Sequence, residues 1–191
     1  MAKKSNVRKI VVAGALGALT IALIVTGAGV IPWFAGVSLT VMHVPAIIGA
    51  IIEGPVVGIV VGGIFGAAAL VKAAVAPNGP IDVFFVNPLI SILPRLLIGL
   101  AAWAAHRAFR GKAGALAAAT AGVVGSLTNS FFVLGALVAF GAIPLAVAGS
   151  VFVANSLIEA AVGGVLSLGV VAAWKGIESR TGKAKLAAEE D

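Results

Sequence analysis

Cysteine is absent from this chain of 191 residues, histidine occurs twice, and only seven residues are acidic. Without cysteine, disulfides and thiolate metal sites are excluded. Two histidines and no paired aspartates within the apolar runs leave neither a metal cluster nor a water-activating dyad, which excludes the usual hydrolytic chemistries. Charged residues make up 10% of the chain, against about 25% in a soluble domain. That scarcity excludes a water-soluble globular protein. Gly62-Gly63 is followed by neither a strand nor Lys-Ser/Thr, so it is not a nucleotide loop.

Hydrophobic residues fill the space, at 61% of the sequence, with 25 glycines and abundant alanine among them. Long apolar stretches recur along the whole length, as in a polytopic membrane protein whose helices pack through small residues. The pattern predicts an all-α integral membrane fold of six transmembrane helices. The crossings are expected at Ile10–Ile31, Val37–Ile52, Val56–Val75, Leu89–Ala105, Ala113–Ala142 and Ser150–Trp174. Residues 1–9 form a basic N-terminus, 10–174 the six-helix domain and 175–191 a solvated tail. The first run is longer than the 7–15 apolar residues of a signal peptide, so it is read as a helix.

Thirteen residues are Lys or Arg. Leaving out Arg95 and Lys72, which fall within apolar runs, the other eleven flank the first run, the connection at 106–112 and the end of the last run. All belong to one side, the positive-inside pattern, so both termini are expected in the cytoplasm. Nucleic acid is not an expected partner. Connections on the far side are predicted at Val30–Gly36, Ala76–Pro88 and Ala139–Gly149, and the turn Glu53-Gly54-Pro55 lies on the near side.

Polar residues inside such runs are costly unless they face protein, water or a ligand. Ser126, Asn129 and Ser130 share one face of the fifth helix at i, i+3 and i+4. Ser91 and Arg95 share a face of the fourth, and Asn155, Glu159, Gly163 and Ser167 step by four along the sixth. At 1.5 Å per residue, Arg95 lies roughly 12 Å from the far end, Asn155 and Glu159 roughly 7 and 13 Å, and Asn129 roughly 18 Å. The four are thus expected to meet in one outward-facing pocket for a small polar solute. Arg95 is read either as an ion-pair partner of Glu159 or as a clamp for a carboxylate, which guanidinium grips bidentately. His43 is either a hydrogen-bonded core residue or a ligand contact, and Trp33 either an interfacial anchor or part of a lid. Asn87, at the start of the fourth helix, is a further candidate. Gly14, Ala18 and Ala22 form a smooth stripe on the first helix, for internal packing or for docking another membrane subunit.

Met42-His43-Val44-Pro45, Glu53-Gly54-Pro55 with its glycine-rich helix, Pro94-Arg95, Gly125-Ser126-Leu127-Thr128-Asn129 and Asn155-Ser156-Leu157-Ile158-Glu159, in that order, closely resemble the substrate-binding S components of energy-coupling factor (ECF) vitamin transporters. The likeness runs from about Arg8 to Trp174 and is greatest to the pantothenate-type members. It implies a six-helix protein that binds a vitamin in the outer half of the membrane, with loops after helices 1 and 3 closing the site. It also implies a transmembrane coupling subunit, met through Gly14, Ala18 and Ala22, and two ATPase subunits that hydrolyse ATP. No cofactor is implied, and no catalysis by this chain. Arg95 would then pair with the carboxylate of pantothenate, while Asn129, Asn155 and Glu159 satisfy its hydroxyls and amide. Alternatives are a hydroxymethylpyrimidine or pyridoxine-like precursor, for which Arg95 would pair with Glu159, and a purely structural membrane subunit.

Overall fold

The computed structural model describes residues 2–32, 38–110 and 114–189. Helix α1 (Ala2–Thr26) contains no proline and ends where Gly27 adopts a φ of 72°. A short antiparallel pair follows, β1 (Val30–Pro32) with β2 (Ser38–Thr40), in which Val30 faces Thr40 and Ile31 faces Leu39. Helix α2 (Val44–Glu53) is only ten residues long and carries Pro45 in its first turn. It reverses into α3 (Pro55–Val75) at Gly54, whose φ of 98° is open to glycine at little cost. A 3-10 segment (Asp82–Val86) and the single turn α4 (Pro88–Ser91) lead into α5 (Leu93–Phe109). Helices α6 (Gly114–Ala139), α7 (Leu145–Val151) and α8 (Leu157–Glu189) complete the chain, with five residues of π-helix, Phe152–Ser156, joining the last two.

The fold is a helical membrane bundle. Among the described residues, five helical stretches are long and apolar enough to cross a bilayer: Asn6–Thr26, Pro55–Val75, Pro88–Phe109, Ala115–Ala139 and Leu145–Gly176. The second expected crossing differs. A helix over 37–52 is replaced by one that starts at Val44, because Ser38-Leu39-Thr40 is extended and pairs with the strand after α1. Ten residues rise about 15 Å, half a hydrocarbon core. Helix α2 reaches the remaining depth through the hairpin, and its residues Val44–Ala50 are all buried. Helix α8 continues with a helical backbone into the stretch read as a solvated tail, to Glu189.

The core surrounds α2. Ala46, Ile47 and Ala50 pack with Ile24, Val57, Val61, Phe65, Ile98, Ala102 and Ala121, drawn from α1, α3, α5 and α6. Large apolar side chains such as Val25, Val75, Leu145 and Val165 point outward, as a lipid solvent allows. Glycines set the closest approaches. A Cβ on Gly62 would collide with the carbonyl of Arg95, and one on Gly99 with the backbone of Gly58, so α3 and α5 touch backbone to backbone. Gly122 and Gly163 do the same for α6 and α8. This small-residue contact takes the place of the large apolar interface that a water-soluble bundle would use.

Helix α1 buries Gly17, Thr20 and Ile24 against this core. Gly14, Ala18 and Ala22 are exposed on its other side, and nothing lies within 4 Å of where a Gly14 Cβ would be. The internal-packing reading of that stripe therefore gives way to an open face.

Candidate ligand cavity of the helical bundle

At the far end of the bundle, opposite the basic termini of the helices, lies a cavity of about 230 Å³. Its wall includes Ile24 of α1, Val30 and Thr40 of the hairpin, Met42, and Phe65, Ala69, Lys72 and Ala73 of α3. Asn78, Asp82 and Phe85 of the following loop, with Arg95 of α5 and Asn129 of α6, close the circuit. The hairpin after α1 and the loop after α3 both border the opening. The volume lies just under the roughly 300–1,000 Å³ of drug-sized pockets, so a small solute is the fitting occupant.

Arg95 dominates the cavity electrically. Its side chain is 6% exposed and lies between two aromatic rings, 5.3 Å from the Phe65 centroid and 5.2 Å from that of Phe85. Nη1 donates to the carbonyl of Ile90 at 2.5 Å, a group that the break between α4 and α5 leaves near the guanidinium. Nε is buried and has no hydrogen-bond partner. Among the described residues no carboxylate oxygen lies within 4 Å of this guanidinium, and Arg8 pairs with Glu53 at the other end of the bundle. Of the two readings of Arg95, the ion pair with Glu159 is not formed.

Glu159 has other partners. Its Oε1 accepts from the Thr40 amide at 2.5 Å and the Thr40 hydroxyl at 3.0 Å, and Oε2 accepts from Ser130 at 3.5 Å. Asn155, one turn earlier, also hydrogen-bonds this carboxylate. The π-helical turn over Phe152–Ser156 widens the helix just before α8, where Asn155 sits, a distortion found often at functional sites. The carboxylate thus ties strand β2 to α8 and holds the hairpin across the bundle, beside the cavity rather than in its wall. Asn129 is in the wall, 7% exposed, and its Oδ1 is buried without a partner.

The remaining candidates fare differently. His43 and Ser126 are wholly enclosed and bonded to each other, Nε2 to Oγ at 2.7 Å. Ser126 has one hydrogen, and its hydroxyl also lies 2.8 Å from the Gly122 carbonyl. A hydroxyl that donates to that carbonyl accepts from the imidazole, so Nε2 carries a proton. Neither residue reaches the cavity; they form a buried tie between α2 and α6. Ser91 is corrected in the same way: its hydroxyl is 2.7 Å from the Phe85 carbonyl and 3.1 Å from that of Asn87, which fastens the loop under Phe85. Asn87 caps α4 through Oδ1, which accepts from the Leu89 amide at 3.0 Å. Trp33 lies outside the described residues.

Sequence reading missed Thr40, Phe65, Lys72 and Phe85. One signal was present: Phe65, Ala69, Lys72 and Ala73 recur at helical spacing on one face of α3, which marks Lys72 as inward-facing as well as near a membrane edge.

A family model for the substrate-specific component of ECF transporters matches residues 8–174. The chain belongs to that family. No curated protein matches it. As an S component it is a substrate-binding transport subunit that works with an ECF module, and the far-end cavity is its candidate ligand site.

The tie at His43 gives a first prediction. Ser126→Ala removes the acceptor of a buried imidazole N–H and should lower stability by about 1–3 kcal/mol. Because neither side chain lines the cavity, solute affinity should stay within about threefold, a shift worth less than 1 kcal/mol. Thermal unfolding in detergent and isothermal titration of the same preparation check both halves; a large affinity loss at unchanged stability would return Ser126 to the ligand site.

Proposed function

We propose that this S component captures pantothenate, or a closely similar carboxylate-bearing vitamin, from outside the cell and presents it for import. The observation that carries this reading is the pairing of two unfilled groups on one wall. Arg95 has neither a carboxylate partner nor an acceptor for Nε, and Asn129 has a buried Oδ1 with no donor. A buried unpaired charge is expensive, more so in a membrane, and a ligand carboxylate offsets that cost with charge-assisted hydrogen bonds. Lys72 adds a second cation to the same wall. Hydroxyl and amide groups of the ligand suit Asn129, with Asn155 and Glu159 acting through the hairpin they hold.

Neutral hydroxymethylpyrimidine or pyridoxine-like precursors are less well served, since they would leave Arg95 uncompensated. A reading as structural glue loses its bond, because Glu159 is held by Thr40 and not by Arg95. The basic ends of the helices support a topology with both termini in the cytoplasm and the cavity toward the outside of the plasma membrane. The exposed Gly14, Ala18 and Ala22 stripe is the surface offered to the transmembrane coupling subunit, and the two ATPase subunits then supply the energy.

A thermal-shift panel tests the ligand. Carboxylate-bearing vitamins, pantothenate first, should raise the melting temperature, and neutral precursors should not. Saturation at about 100 times Kd corresponds to roughly 2.7 kcal/mol of added stability. Stabilisation by a neutral precursor alone would discard the carboxylate reading while keeping the family role.

A further inference from the structure

A second cavity, of about 670 Å³, lies at the basic end of the bundle. Four cations from three helices meet there: Arg8 of α1, Arg107 and Arg110 from the end of α5, and Lys175 of α8. Glu53 is engaged by Arg8, so the other three cations converge without a facing carboxylate within 4 Å among the described residues. Two indoles share the lining. Trp103 lies under the Arg107 guanidinium, 5.4 Å from ring centroid to Cζ. Trp174 Nε1 is buried with no acceptor, and His106 Nε2 is buried with no partner.

Orientation by positive charge needs basic residues on one side of the membrane, but not gathered around one hollow with hydrogen-bonding groups left unmet. An indole N–H can only donate, and a buried donor without an acceptor costs about 1–3 kcal/mol. Guanidinium groups match phosphate oxygens bidentately. Basic pockets between helices at a cytoplasmic membrane face bind anionic headgroups, and indoles settle at headgroup depth. We infer that this basic cavity is a phosphate-binding site, fitted to the headgroup of an anionic phospholipid held between α1, α5 and α8. Its chemistry is that of a phosphate ester, which a free phosphate compound could also supply.

Tryptophan emission is the natural readout, since two of the three tryptophans line the cavity and Trp33→Phe silences the third. The protein in neutral detergent is titrated with short-chain phosphatidylglycerol, with phosphatidylcholine of equal chain length, and with inorganic phosphate. Phosphatidylglycerol should give a saturable change that phosphatidylcholine does not. In Arg107→Gln/Arg110→Gln the affinity should fall about thirtyfold, the loss expected for two juxtamembrane basic side chains, while stabilisation by the far-end solute is kept. Lys175→Gln alone, with about a fivefold loss, serves if the double variant melts early. A response to inorganic phosphate as strong as that to the lipid supports the site and names a soluble phosphate as its ligand. Equal responses to the two lipids, no saturable response to any probe, or variants that bind like the wild type would overturn it.

Discussion

Arg95→Ala should abolish binding of the proposed carboxylate ligand while leaving a folded protein. Truncating one partner of a buried charge pair costs about 2–5 kcal/mol, so affinity should fall by at least about thirtyfold. The fold should survive because Arg95 gives its neighbours little. It makes one hydrogen bond, to the Ile90 carbonyl, and two ring contacts, to Phe65 and Phe85. Against these stands the expense of a charge inside an apolar bundle. The melting temperature of the empty variant should therefore match or exceed that of the empty wild type. Arg95→Lys separates charge from shape: a lysine keeps the cation but loses the flat stack between two rings and the bidentate grip. Its affinity should fall between the other two. Isothermal titration with pantothenate, together with unfolding curves of the empty proteins, measures all of this. Equal affinity of wild type and Arg95→Ala would remove the guanidinium from the site.

Polar residues in apolar runs were the legible part of that site. Arg95 and Asn129 stand out in the sequence because the membrane makes them costly, and helical rise gives their depth. Depth is not azimuth, however. His43, Ser126 and Ser91 lie at suitable levels yet turn toward protein, two of them bonded to each other and one to its own loop. Rotation around each helix follows from tertiary packing, which no single run contains. Thr40 was hidden for a different reason. It lies in a stretch that reads as the start of a helix, and only pairing with the strand after α1 extends it and aims its amide at Glu159. Phe65 and Phe85 fall in an apolar run and in a loop, where aromatic rings of a membrane protein carry no cost that would single them out. The basic cavity was legible as charge but not as shape: Arg8, Arg107 and Lys175 are far apart along the chain, and the helix packing closes them into one wall.

Packing of that kind is set by glycine, and two adjacent glycines on α3 should respond in opposite ways. A Cβ on Gly62 would fall inside contact distance of the Arg95 carbonyl, a backbone atom in the first turn of α5 that cannot swing aside. Gly62→Val must therefore push α5 away from α3, and overpacking of this kind costs about 1–3 kcal/mol or more. The displacement acts on the residue that carries the guanidinium. Phe65, which stacks on Arg95, is on the other helix of the pair, so the clamp opens as the helices part. Gly62→Val should thus lose both stability and solute affinity, the latter without any change to a ligand-facing group. At Gly63 a Cβ would meet only the Cδ2 atom of Leu96, at 3.3 Å, the mobile end of a side chain. Gly63→Ala should be neutral or stabilising by up to about 1 kcal/mol, since alanine favours the helix. Unfolding and titration of the two variants side by side decide the matter. Retained affinity in Gly62→Val would mean that Arg95 is positioned by something other than the backbone contact between α3 and α5.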